Sequence, residues 1–231
     1  MRGSESYRRR APVRLVTGQT FLVVTEGKNT EPNYLKALRT RFQLAVENVE
    51  IHHPNGTDPI TLVEKAIELR DERKKQAKKG SGVAYDEVWV VFDLEKPNDE
   101  RRMQAKQAMA IKDANNIKFA ISDPCFEYWL LLHEEYTTAQ LANCSVATAR
   151  FKEVCPGYTK GSWIPPLEFL NKLPDAVIHT ERCREYHKET GGDGNPSTGM
   201  DLLARSLNDA TREHLKLLRD NSNTPPVLNE G

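Results

Sequence analysis

Val88, Trp89, Val90, Val91 and Phe92 form an unbroken run in which every residue is β-branched or aromatic. Such a run favours a strand but lacks the alternation of a strand with one wet face. It is also far shorter than the roughly 18 to 20 apolar residues that span a bilayer. What remains is an interior strand of a parallel sheet, covered by helices on both faces. Phe21, Leu22, Val23 and Val24 repeat the pattern nearer the N-terminus, and Lys118 to Ser122 reads as one more short strand, with a weaker one around Val46 to His52. Between the strands, apolar residues recur at helical spacing: Tyr34, Leu35, Leu38 and Phe42; then Leu62, Val63, Ala66, Ile67 and Leu69; then Met103, Ala105, Ala108, Met109 and Ile111. The resulting β-α-β-α-β-α-β order predicts an α/β fold with a mostly parallel sheet flanked by helices.

Turn residues punctuate this plan. Gly27 permits a sharp turn after the first strand, and Asn29 or Thr30 can cap a helix carrying Glu31 and Pro32 in its first turn. After Pro124 the pattern changes. Phe126 to His133 reads as a short, largely buried helix, followed by helical segments separated by Pro156-Gly157, Pro165-Pro166 and the stretch from Gly191 to Pro196. The expected organisation is a flexible basic arm over residues 1–18, an α/β core over 19–135, a helical C-terminal region over 136–219 packing on the core, and a disordered tail over 220–231.

Lys plus Arg balance Asp plus Glu at 33 each, so no global field recruits nucleic acid. The basic residues are nevertheless clustered, in an arm with Arg2, Arg8, Arg9, Arg10 and Arg14 and in a helix end with Arg70, Arg73, Lys74, Lys75, Lys78 and Lys79. A solvated helix end is the simpler reading of the second cluster, and phosphate contacts the other. The arm lacks the apolar stretch and cleavage site of a secretory signal. Cys125, Cys144, Cys155 and Cys183 show no C-x-x-C pairing, and no nearby histidine pair completes a zinc pattern, so they are expected to be reduced thiols, partly buried and structural, in a cytoplasmic protein without a membrane segment.

Carboxylates mark the strand ends. Glu26 follows the first strand, and Asp93 and Glu95 follow the central one. Parallel strands bring their carboxyl ends to one edge, where α/β folds bind ligands. In an extended segment residues two apart face the same way, so Asp93 and Glu95 are expected to share a site. Carboxylates that converge in a cleft repel one another unless a cation neutralises them, and Mg2+ suits oxygen donors, with Mn2+ as an alternative. For any single acid, a solvated strand end is the simpler explanation.

The strand ending in Glu26-Gly27 and the later strand ending in Asp93-x-Glu95 resemble the Toprim signature of topoisomerases, bacterial primases and certain nucleases. Taken with Asn29 to Tyr34, Pro124 to His133 and Asn195 to Thr198, the chain resembles the RloB family from about Phe21 to the helix after Thr198. The resemblance implies a Toprim-like core in which Glu26 is a general acid/base or metal ligand and Asp93 and Glu95 hold magnesium. It also implies a bacterial anti-phage (restriction or abortive-infection) setting beside an AAA-type ATPase. Glu95 stands where the family usually has Asp, and Asp123 where Asn is expected before the proline.

Other residues carry two readings. Glu31 is either a further ligand or a first-turn acid favoured by the helix dipole, the latter preferred. His133 is either a buried structural histidine against Trp129 or a proton shuttle or substrate contact beside the acids, and Glu127, a carboxylate in an apolar segment, needs a partner, either a metal or a basic side chain. Asn195, Ser197 and Thr198 precede a helix, either as capping residues or as a phosphate site. Lys28 would steer a phosphate backbone. Gly27-Lys28 is not a Walker A loop, because Leu22 replaces the upstream glycine and Asn29 the Ser/Thr.

These residues lead to a Mg2+-dependent nuclease acting on DNA or RNA, tRNA being one target, as the first expectation. A non-catalytic regulatory partner of an ATPase is the alternative, and a nucleotide-binding or phosphotransfer module a weaker third. Whether the chain forms a homo-oligomer is not written in its sequence.

Overall fold

The structure is a computed structural model that describes residues 18–56, 58–95, 99–192 and 194–222. Most of the basic arm and the end of the polar tail fall outside these residues. The α/β expectation holds. Strands β1 (Phe21–Thr25), β2 (Val49–His52), β3 (Glu87–Asp93) and β4 (Ile117–Asp123) lie parallel, and a two-residue strand β5 (Ser197–Thr198) runs antiparallel to β4. The sheet order is β2-β1-β3-β4-β5. Among the described residues eight α-helices accompany it: α1 (Thr30–Arg41), α2 (Pro59–Lys78), α3 (Asp99–Met109), α4 (Phe126–Glu134), α5 (Cys144–Val154), α6 (Leu167–Leu170), α7 (Leu173–Thr190) and α8 (Met200–Ser222).

The unbroken apolar runs are explained by two cores, one on each face of the sheet. Phe21, Val23, Trp89 and Val91 pack with α1, α4 and the C-terminal helices, whereas Leu22, Val24, Val88, Val90 and Phe92 pack with α2 and α3. Alternate residues of one strand therefore enter different cores, so neither face offers a polar position. The α2 stripe behaves as its spacing predicts, with Leu62, Val63 and Ala66 fully buried and Asp58 capping the helix by accepting from Thr61 N–H at 3.0 Å. In α3 the apolar spacing is only half used: Ala105 and Ala108 are buried, but Met103 is 57% exposed and Met109 42%.

α4 is the hub of the larger core. All residues from Phe126 to His133 are buried, and Trp129, fully enclosed, meets Tyr34 edge-on at 6.3 Å between ring centroids. Truncating a ring so enclosed costs about 3–5 kcal/mol. The C-terminal region is helical, as expected, and packs on the core mainly through α4. It also supplies β5, a contribution that two residues are too short to announce in a sequence pattern.

Candidate metal centre

The carboxyl ends of β1 and β3 and the start of α1 frame a cleft of about 290 Å³. Five carboxylates line it, those of Glu26, Glu31, Asp93, Glu95 and Glu127, together with Lys28 and Lys160. The acids separated in sequence are therefore brought together. The Glu26 carboxylate accepts the Asp93 backbone N–H at 3.0 Å and the Arg101 guanidinium at 2.6 Å. Arg101 also donates to the Asp93 carbonyl at 3.1 Å, so it ties the ends of both strands to α3.

Glu95 reaches the cleft by a different route from the one expected. β3 stops at Asp93, and Glu95 adopts a left-handed backbone with φ near 60°, its N–H donating to the Pro124 carbonyl at 2.7 Å. Strand alternation therefore does not relate Asp93 to Glu95; a turn does. A non-glycine residue held in this region is strained, and that backbone hydrogen bond is what holds it.

The turn after β1 also departs from its expected chemistry. Gly27 is not left-handed; what it requires is space. A Cβ there would lie 1.8 Å from Glu31 Oε2, because Glu31 folds back to accept the Gly27 N–H at 3.1 Å. Asn29 occupies the N-cap position without making a side-chain cap bond. Glu31, only 5% exposed, thus serves the turn and lines the cleft as well.

The electrostatics of these groups diverge. Burial, then the charges of Glu31, Glu26 and Glu127, push the Asp93 carboxyl well above its ordinary range. Its Oδ1 atom is buried without a hydrogen-bond partner. Burial raises Glu31 to about 7, with Glu127 and Glu26 adding to the effect. Burial also raises Glu26, against the opposing pull of the Asp93 N–H and Arg101. Glu127 moves the other way: burial would raise it, but Lys160 at 2.9 Å and the Tyr158 hydroxyl at 2.9 Å hold it below the usual range.

A buried, unsatisfied carboxylate oxygen among mutually repelling acids fits an oxygen-liganded cation. Asp93 is the best-placed donor, and Glu95 and Glu31 line the same cleft. Glu26 fits less well as a ligand, since both its oxygens already accept hydrogen bonds.

Other predicted site residues lie elsewhere. His133 is a correction: it is 2% exposed, stacks on Phe169 at 4.5 Å between centroids, and contacts Tyr34 Oη through Nε2 at 3.2 Å. Burial pushes it down to about 3, so it is a neutral core residue away from the cleft. Asn195, Ser197 and Thr198 also stand outside the cleft. Asn195 Nδ2 donates to Asp123 at 2.8 Å, Ser197 and Thr198 form β5, and Thr198 Oγ1 accepts the Met200 N–H at 3.2 Å as a helix cap. Asp123 adds little free charge to the sheet edge, because Arg102 pairs with it at 2.5 Å. The basic end of α2 points away from the cleft: Arg70 and Arg73 bond carbonyls of Asp113 and Val83, which precede β4 and β3, at the opposite edge of the sheet.

Three basic residues at or near the cleft went unread in the sequence: Lys160, which lines it, and Arg101 and Arg102, which pair with Glu26 and Asp123. Lys160 sits in a Gly-flanked loop with no charge pattern of its own. Arg101 and Arg102 left a faint signal, since two arginines in the first turn of a helix oppose its dipole and so call for acidic partners. Glu26 and Asp123 are those partners.

Parallel strands ending in a cleft of carboxylates, with helices over both faces, define an α/β protein with an acidic cleft at the sheet's carboxyl edge. The chain matches the family model of RloB-like proteins over residues 21–207 and belongs to that family. The match runs from β1 into α8 and takes in every cleft residue. No curated protein matches the chain. No described helix is long and apolar enough to cross a membrane.

Proposed function

We propose that this RloB-like chain is a Mg2+-dependent nuclease of the Toprim type, cleaving phosphodiester bonds of DNA or RNA in anti-phage defence beside an AAA-type ATPase. The observation that carries the reading is the buried Asp93 oxygen, without a hydrogen-bond partner among the described residues, in a cleft that four further carboxylates line. Mg2+ or Mn2+ held by Asp93, Glu95 and Glu31 would supply a Lewis acid for the phosphoryl group and acidify a water. Glu26, fixed by Arg101 and raised by burial, is oriented to accept a proton at its carboxylate rather than to ligate. Lys28 and Lys160 line the same cleft and would meet backbone phosphates.

The test is incubation of the pure chain, with and without the neighbouring ATPase, with plasmid and total RNA in Mg2+, Mn2+ or chelator. Metal-dependent cleavage lost in both Glu26→Gln and Asp93→Asn supports the reading; absence of cleavage under every condition defeats it. One observation favours a second reading, a non-catalytic partner of the ATPase that keeps the fold as scaffold. The Arg101–Glu26 pair at 2.6 Å already supplies a cation to one family acid. ATPase binding that persists in both variants without cleavage supports that alternative.

A further inference from the structure

The acidic cleft has a sulfur wall that the nuclease reading does not use. Asp93 ends β3, Cys125 immediately precedes α4, and Cys144 begins α5, yet their ligand atoms all lie within 4.8 Å of one another. Three separate elements thus deliver one carboxylate and two thiols to a single point. Cys125 is fully buried and Cys144 half-buried, on the side where the exposed Glu95 opens to solvent. The Cys144 sulfur points back at the carbonyls of Pro124 and Glu95, at 3.5 and 3.6 Å. The third member of the group, Asp93, keeps a buried oxygen that no described donor satisfies.

We propose that Asp93, Cys125 and Cys144 form a binding site for a borderline-soft divalent cation of the zinc class, beside the acidic cleft and sharing Asp93 with it. Two sulfurs and one oxygen are a donor set that zinc accepts and magnesium does not, since thiolates select softer ions. Zinc–sulfur bonds of about 2.3 Å need the donors to draw together by roughly 1 Å, within reach of side-chain rotation. Three protein donors leave a fourth position for water or substrate, the arrangement of an open rather than a closed zinc site.

Cation binding displaces the two thiol protons, which leave to solvent as both sulfurs become thiolates. Because Asp93 belongs to both donor sets, it serves one ion at a time, and the two thiolates hold a zinc-class ion there against Mg2+. The sulfur site itself requires no phosphodiester cleavage.

The experiment is a Co2+ titration of the reduced full-length chain, without nucleic acid, followed by absorbance. The expected result is one equivalent of Co2+ bound with a thiolate-to-metal charge-transfer band, displaced by Zn2+ and not by excess Mg2+. Cys144→Ser lowers that band by about half and weakens binding by about tenfold or more, Asp93→Asn weakens binding with the band retained, and Cys155→Ser changes neither. Cys125→Ser is the matching variant; should burial prevent its folding, the half-buried Cys144 carries the test, with circular dichroism to verify its fold. No charge-transfer band, or a band indifferent to Cys144→Ser, overturns the proposal. Neither result depends on nuclease activity, so the two readings fail separately.

Discussion

The Glu31 carboxylate occupies the space that a side chain on Gly27 would need, at 1.8 Å from the position of a Cβ. One acid of the cleft is thus placed by the absence of one methyl group four residues earlier. Gly27→Ala is expected to expel Glu31 from its seat and break the 3.1 Å bond to the Gly27 N–H. Overpacking of this kind costs about 1–3 kcal/mol. Calorimetric titration with Mn2+ should show weaker binding in Gly27→Ala, while Lys28→Ala, an exposed neighbour on the same turn, leaves ion affinity within about twofold.

The pH dependence of stability follows from Glu31. Its folded pKa, about 7, stands above its ordinary value of 4.5. A raised acid contributes stability that is fully present below pH 4.5 and lost as pH climbs through about 7. Each unit of such a shift is worth about 1.4 kcal/mol at most. Denaturant melts of the ion-free chain should therefore show Glu31→Gln gaining relative stability across this window. A parallel response of both proteins to pH rules the coupling out.

Asp93→Asn removes the most strained carboxyl of the cleft. The variant is expected to lose cleavage by roughly two orders of magnitude or more, yet to melt at a higher temperature than the parent when no divalent ion is present above neutral pH. Added Mg2+ should narrow the difference by stabilising the parent alone. Differential scanning calorimetry with and without the ion measures both arms.

His133 supplies the opposite sign. Its folded pKa near 3 lies below the ordinary 6.5, so neutral His133 contributes stability present above pH 6.5 and lost as pH falls towards 3. Its ring resonances should not titrate between about pH 5 and pH 8, where an ordinary histidine does. His133→Phe should leave any cleavage rate intact; a selective rise in KM would restore the substrate-contact reading.

Asn195→Ala should act on the fold and not on catalysis. Asp123, 2% exposed, accepts from Arg102 at 2.5 Å and from Asn195 at 2.8 Å. Losing the second donor leaves part of a buried carboxylate unsatisfied, at a cost of about 1–3 kcal/mol. Urea midpoints should fall while KM for nucleic acid stays constant.

These cases also show what the residues disclose unaided. The doubly buried strands were legible because Val88 to Phe92 leaves no wet position, and Glu26 and Asp93 because parallel strands must end together. Glu95 lines the same cleft as Asp93 but arrives by a left-handed turn, which has no sequence period. His133 and Glu127 sit on one helix and read alike as polar intrusions; only tertiary packing sends one into an aromatic nest and the other to Lys160 and Tyr158. Cys125 and Cys144 carried no motif because their meeting depends on two helix starts folding onto β3.

The antiparallel pairing of Ser197 and Thr198 with Asp123 and Ser122 has a consequence for how the chain can be divided. All five cleft acids precede residue 135, so a fragment ending there would keep them. It would also bare the last rungs of β4 and the apolar flank of α4, a ready template for another strand or another copy. The far segment works as a selvedge that finishes the fabric's rim, and with it travel Lys160 and Cys144. Any dissection that seeks the acid-bearing half alone should yield aggregates, not a smaller folded protein.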